Sequence, residues 1–149
     1  MSIKEQLTND MKQAMKDKEA GKLRLSVIRM VRASIKNAEI ERKKELSDAE
    51  VLDVIAKEVK MRRDALEEYK KADRPDLIEN LEKEIAILMQ YLPEQLSETE
   101  IRGLVAAAVA QTQAASIKDI GKVMAVLMPQ IKGRADGKIV NAIVREMLK

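Results

Sequence analysis

The sequence predicts an all-α fold, with a multihelical N-terminal part followed by a small three-helix C-terminal domain. Three observations carry this expectation. Apolar residues recur at helical spacing in the segments between chain breakers. Only five glycines and three prolines punctuate 149 residues. The balance of 46% hydrophobic and 36% charged residues also differs from that of disordered chains, collagen-like repeats and loop-rich β folds. A chain of this length removes roughly two-thirds of its unfolded surface from water on folding, enough for a core.

Breakers at Gly21, Asp73-Arg74-Pro75, Pro93, Ala114-Ala115-Ser116 and Gly133 to Gly137 divide the chain into seven predicted helices. The first precedes Gly21. The second, about Lys22 to Glu41, places Leu23, Val27, Met30, Val31, Ser34, Ile35 and Ala38 on one arc that should face the core. Ser47-Asp48-Ala49-Glu50 has the spacing of a capping box and starts the third helix, which runs towards Ala72. Pro75 suits the first turn of the fourth, whose stripe of Leu77, Ile78, Leu81, Ile85, Leu88 and Leu92 ends at Pro93. Ser97-Glu98-Thr99-Glu100 opens the fifth.

That second box and Pro93 place the domain boundary, giving an N-terminal helical domain over 1–96 and a C-terminal three-helix domain over 97–149. The charge changes there as well. Residues 1–96 hold 20 basic and 20 acidic side chains, against eight and five in 97–149, so the formal +3 belongs to the tail. After Ser116 the sixth helix lines up Ile117, Ile120, Val123, Met124, Leu127, Met128 and Ile131, with Pro129 expected to kink or end it. The seventh follows Asp136 and gathers Ile139, Val140, Ile143, Val144 and Met147. Gly121 inside the sixth helix is expected to serve close packing, because glycine there costs up to ~1 kcal/mol relative to alanine.

The residues that are missing exclude much chemistry. Without Cys or His there are no disulfides, no thiolate or imidazole metal sites and no Ser-His or Cys-His pairs. No cofactor, no metal and no catalytic residue is therefore expected. Two tyrosines and no Trp or Phe cannot form a base-stacking surface, so nucleic-acid contact would rest on Lys and Arg. Glu82 and Glu84, two apart on a helix, point to different faces and form no acid–base dyad. Gly133-Arg134-Ala135-Asp136-Gly137-Lys138 falls one residue short of a phosphate loop, with Ile139 where a Mg²⁺-binding hydroxyl would stand. The N-terminus does not look like a signal peptide and no apolar run approaches the ~18 residues of a membrane span, so a cytoplasmic chain without a membrane partner is expected.

Two basic stripes stand out. Lys22, Arg29, Arg32 and Lys36 share one side of the second helix, opposite its apolar arc, in a stretch of 22–36 without an acid. Residues 64–100, with eleven acids and four bases, offer intramolecular partners, and an external anion is the alternative. In the tail, Lys138, Arg145 and Lys149 line the polar side of the last helix, with Lys132 and Arg134 just before it and Lys122 in the sixth. Acids are sparse there, which suits nucleic acid as well as solvent.

Several motifs taken together resemble the GatB/YqeY family, and within it the free-standing YqeY-like members. They are Arg29 with Ser34-Ile35-Lys36-Asn37-Ala38-Glu39-Ile40, Arg74-Pro75-Asp76-Leu77, Glu82, Glu84, and Tyr91-Leu92-Pro93 with Gln95-Leu96. In the tail, Asp119-Ile120-Gly121-Lys122-Val123-Met124 and the 133–138 turn are similar to the end of the tRNA-dependent amidotransferase B subunit. Asp73 departs from the pattern, standing where relatives often have glycine. The resemblance implies a two-part helical protein whose tail is similar to the amidotransferase domain that contacts tRNA, outside the catalytic part.

The leading expectation is a non-catalytic module binding tRNA or a tRNA-bearing complex through Lys122, Lys132, Arg134, Lys138, Arg145 and Lys149, with Lys22, Arg29, Arg32 and Lys36 as a second basic patch. One alternative is carbon–nitrogen ligase activity with glutamine as amide donor, or an accessory subunit of tRNA-dependent amidation. It rests on family membership alone, since the amidotransferase's catalytic domain has no counterpart here. The other is an adaptor whose second-helix stripe meets an acidic protein.

Overall fold

A computed structural model describes residues 1–149 as helices joined by short turns, with no strand. The α-helices are α1 (Ile3–Lys16), α2 (Lys22–Arg42), α3 (Asp48–Lys71), α4 (Pro75–Met89), α5 (Glu98–Thr112), α6 (Ile120–Ile131) and α7 (Gly137–Met147). They form two compact units, Met1–Leu92 and Pro93–Lys149. Pro93 to Leu96, which the sequence grouped with the first part, belong to the second. The Leu96 N–H donates to the Arg134 carbonyl at 2.8 Å, and the Gln95 amide donates to the Gly133 carbonyl at 2.9 Å.

Helix starts follow side-chain chemistry. Ser2, Ser47 and Ser97 each accept the backbone N–H three residues on, and Glu5 and Glu50 complete capping boxes by accepting the serine N–H in return. Helix ends follow a different rule. Lys43, Asp73 and Gln113 adopt left-handed backbone with φ of 54–55°, and after each of them the next N–H reaches back five residues, as Arg74 does to Tyr69 at 3.2 Å. Asp73 holds a left-handed φ that glycine would adopt without the Cβ penalty, so the departure noted there leaves the backbone turn in place.

In the first unit α1 packs on α2 and α3 runs along α4. The core is Leu7, Val27, Ile28, Val31, Ile35, Leu46, Val51, Ile55, Val59 and Leu88. The second unit packs α5, α6 and α7 around Val105, Val123, Leu127, Val140 and Val144, all fully buried. The predicted apolar arcs are wider than the buried ones: Met30, Ile117, Met128, Ile139 and Met147 lie at their edges and are exposed.

Three further expectations are corrected. α4 ends at Met89, before Pro93, as Gln90, Tyr91 and Leu92 tighten into bonds three residues back. Pro129 lies inside α6, which continues to Ile131, and a 3₁₀ turn over Ile117–Asp119 intervenes between Ser116 and that helix. Gly121 serves no close packing, because a Cβ there would meet nothing within 4 Å. The glycine that does is Gly21, whose Cβ would collide with the Ala14 backbone carbonyl and hold α1 away from the start of α2.

Candidate nucleic-acid interface

Burial of Val27, Ile28, Val31 and Ile35 fixes the rotation of α2 and turns its other side outward. Lys22, Arg29, Arg32 and Lys36 are all exposed on that side, and none of them forms an ion pair. The guanidinium of Arg32 lies 2.8 Å from the sulfur of Met11, a weak acceptor. Arg24, the fifth cation of the stretch, turns inward and meets Asp10 at 3.4 Å, where Tyr91 also donates its hydroxyl. Partial burial, together with the hydrogen bond to Asp10, holds the Tyr91 phenol well above its ordinary pKa, so it stays protonated.

The acids of 64–100 do not neutralise the stripe. Glu68 pairs with Lys71, Asp76 with Arg74, Glu79 with Lys83 and Glu98 with Arg102. Glu84 is drawn inward, accepting from Arg62 Nε at 3.2 Å and from the Asn80 amide at 3.0 Å.

Arg62 is the centre of a buried polar cluster that sequence reasoning missed. It and Glu58 are 6% and 7% exposed, bonded at 2.8 Å, and Ser34 donates its hydroxyl to the same carboxylate at 3.0 Å. The cluster ties α2, α3 and α4 together. The available signal was the placement of Glu58 and Arg62 four apart, on the helix side that also carries Ile55 and Val59, both buried.

The structure spreads the tail residues over the second unit. Lys122 is in the first turn of α6 and 3.8 Å from Asp119. The carboxyl of Asp119 is held below its ordinary range chiefly by the Ala115 and Ser116 N–H groups, then by Lys122. Lys138 is in the first turn of α7, and Lys132 and Arg134 stand in the turn between α6 and α7. There Arg134 is half-buried and donates from Nε to the Glu94 carbonyl at 3.4 Å. Asp136 accepts the Lys138 N–H at 2.9 Å, so a carboxylate already occupies an N–H in the first turn of α7, where a bound phosphate would need it. Arg145 donates to the neutral Asn141 at 2.8 Å, and Lys149 is exposed. Lys122 and Lys132 stand at opposite ends of α6, which separates them by about 15 Å.

No group of three or more His, Cys, Asp or Glu side chains is placed to hold a metal ion, and no helix is long and apolar enough to cross a membrane. The model of the YqeY-like protein family matches residues 4–148. The chain belongs to the YqeY-like family.

Among its relatives is the fungal altered inheritance of mitochondria protein 41, mitochondrial. The protein of that name from Pyrenophora tritici-repentis is 32% identical over 145 residues, 95% of this chain and 78% of the relative. Those from Lachancea thermotolerans and Kluyveromyces lactis are 39% and 42% identical, over 64% and 57% of this chain. The matches span 51% and 45% of those two proteins' own lengths. Membership of the YqeY-like family covers both units, so the α2 stripe and the 132–136 turn both belong to the matched region.

Proposed function

We propose that this YqeY-like chain is a non-catalytic helical module that binds tRNA, or a complex carrying tRNA, through basic helix faces. The observation that carries the reading is the α2 stripe: four exposed cations on a rigid helix, fixed by a buried core and without an internal counterion. Like charges spaced three and four apart repel by a few tenths of a kcal/mol per close pair, and a polyanion removes that cost. Lys122, Lys132, Arg134, Lys138, Arg145 and Lys149 add a second cationic surface in the other unit, consistent with its resemblance to the amidotransferase tail. Such contacts read phosphate position and shape and carry little base information.

The carboxylates prominent in the sequence favour structure over amide transfer. Glu84 holds a buried arginine, and Glu82 is exposed with no chemical partner. We place the chain in the cytoplasm. Relatives carry mitochondrial names, and the reading requires a polyanion and not one compartment.

Retention of bulk tRNA on filters, measured against salt, tests the reading. Neutralising about four phosphates gives log affinity a slope of about −3 to −4 against log salt. Absence of retention at about 50 mM salt, where counterion release is most favourable, overturns it.

A further inference from the structure

Between α1 and α2 lies an open groove of about 440 Å³, within the size range of small-ligand sites. Lys4 and Thr8 line it from α1, and Arg32, Lys36 and Glu39 from α2, with the buried Leu7 and Ile35 contributing apolar surface. Lys4 and Glu39 cancel one another at 2.6 Å. Glu39 also accepts the Leu46 N–H at 2.8 Å, and both bonds hold its carboxyl below the ordinary range, so it stays ionised and committed to the fold. Arg32 and Lys36 remain, and their two positive charges have no counterion.

One helical turn separates these two side chains, about 5–6 Å between Cβ atoms, a distance that a single tetrahedral anion can bridge. Arg32 supplies a planar fork of donors and Lys36 a mobile point charge, the pair best suited to phosphate oxygens. The Thr8 hydroxyl donates to the Lys4 carbonyl at 3.0 Å, so its proton is committed to α1 and the two cations are left to grip the anion. Two uncompensated monocations match the charge of a phosphate monoester, −1.5 to −2 at neutral pH, better than that of a singly charged diester. We propose that the α1–α2 groove is a receptor for a phosphate monoester, gripped by Arg32 and Lys36, with the apolar surface beside them accepting the body of the ligand. A free mononucleotide and the phosphorylated end of an RNA share that chemistry. The site shares Arg32 and Lys36 with the stripe of the tRNA reading, whereas Lys22 and Arg29 do not line the groove.

The test titrates nitrogen-15-labelled full-length chain with AMP, cyclic 3′,5′-AMP and adenosine, and separately with a short RNA bearing a 5′-phosphate or a 5′-hydroxyl. The expected result is saturable shifts of the Thr8, Arg32 and Lys36 amides with the monoester. Binding should be about tenfold weaker for the cyclic diester, the loss of one charge-assisted contact, and absent for adenosine. Arg32→Gln and Lys36→Gln should each weaken it about tenfold, whereas Lys60→Gln, on α3 and outside the groove, should leave AMP binding unchanged. All three residues are exposed, so these variants keep the fold. A response to AMP supports the site with a free ester as ligand, and a preference confined to 5′-phosphorylated RNA supports it with an RNA end as ligand. Neither response, or wild-type behaviour of both Arg32→Gln and Lys36→Gln, overturns the proposal. Failure to retain tRNA while AMP still binds would remove the tRNA reading alone.

Discussion

In the first unit a glutamate and an arginine lie buried among α2, α3 and α4, whereas the core of the second, from Ile101 to Leu148, is apolar throughout. The surfaces differ in a related way. Glu84 and Glu58 face inward to hold Arg62, and Glu39 is committed to Lys4 and Leu46, so the exposed side of α2 keeps its cations unmatched. In the second unit the cations have local neighbours: Asp119 for Lys122, the Glu94 carbonyl for Arg134 and Asn141 for Arg145. The comparison reverses the weighting drawn from composition, which gave the net charge to the tail. Net charge counts residues, but a polyanion responds to cations that are exposed, aligned and unpaired.

The sharpest way to break this comparison is through the two cores. Arg62→Met alone leaves Glu58 buried without its partner and should destabilise the first unit by about 3–5 kcal/mol. The accompanying change Glu58→Leu should recover part of that loss, because the most deeply buried charge is then gone and the partly exposed Glu84 keeps its bond from Asn80. Leu127→Ala in the second unit loses about 2–5 kcal/mol through a cavity, with no such rescue available. Urea denaturation of each variant checks the contrast. If Arg62→Met costs no more than a surface substitution, the buried cluster is not structural.

Glycines give a smaller and opposite-signed pair. Gly21→Ala forces a methyl against the Ala14 carbonyl and should cost about 1–3 kcal/mol. Gly121→Ala in α6 meets open space and should stabilise by up to about 1 kcal/mol, through helix propensity. Thermal melts showing the same sign for both would contradict the packing described around Gly21.

The smallest effect concerns the start of α3. Bonds from the Ser47 N–H and then Lys44 lower the Glu50 carboxyl from 4.5 to about 2, with Arg42 also within 3.1 Å. A depressed folded-state pKa contributes stability that is complete above the ordinary value of 4.5 and is lost as pH falls towards 2. Glu50→Gln should therefore be less stable than wild type at neutral pH and converge with it across that window, read as the urea midpoint against pH. A constant gap down to pH 2 would count against this assignment.

What the sequence revealed and what it hid follow from the range of the interactions involved. The starts of α3 and α5 were legible because a serine followed three residues later by a glutamate is a local device, complete within one turn. The ends of α2 and α3 were legible to within a residue, near Glu41 and Ala72, but the left-handed caps at Lys43, Asp73 and Gln113 were not, since residue type does not announce that conformation. The four-cation stripe of α2 was readable from spacing alone. Its lack of counterions was not, because that depends on where Glu58 and Glu84, distant in sequence, place their carboxylates. Glu58 and Arg62 read as an ordinary surface pair at helical spacing until α2 and α4 cover them.

The most direct test compares the salt dependence of tRNA binding in two charge-neutralised chains. One carries glutamine at positions 22, 29, 32 and 36, the other at 122, 134, 138 and 145. The account predicts that the first set removes most of the wild-type slope of about −3 to −4, at roughly one unit per lost phosphate contact, while the second removes less. An undiminished slope after neutralising the α2 face would contradict it.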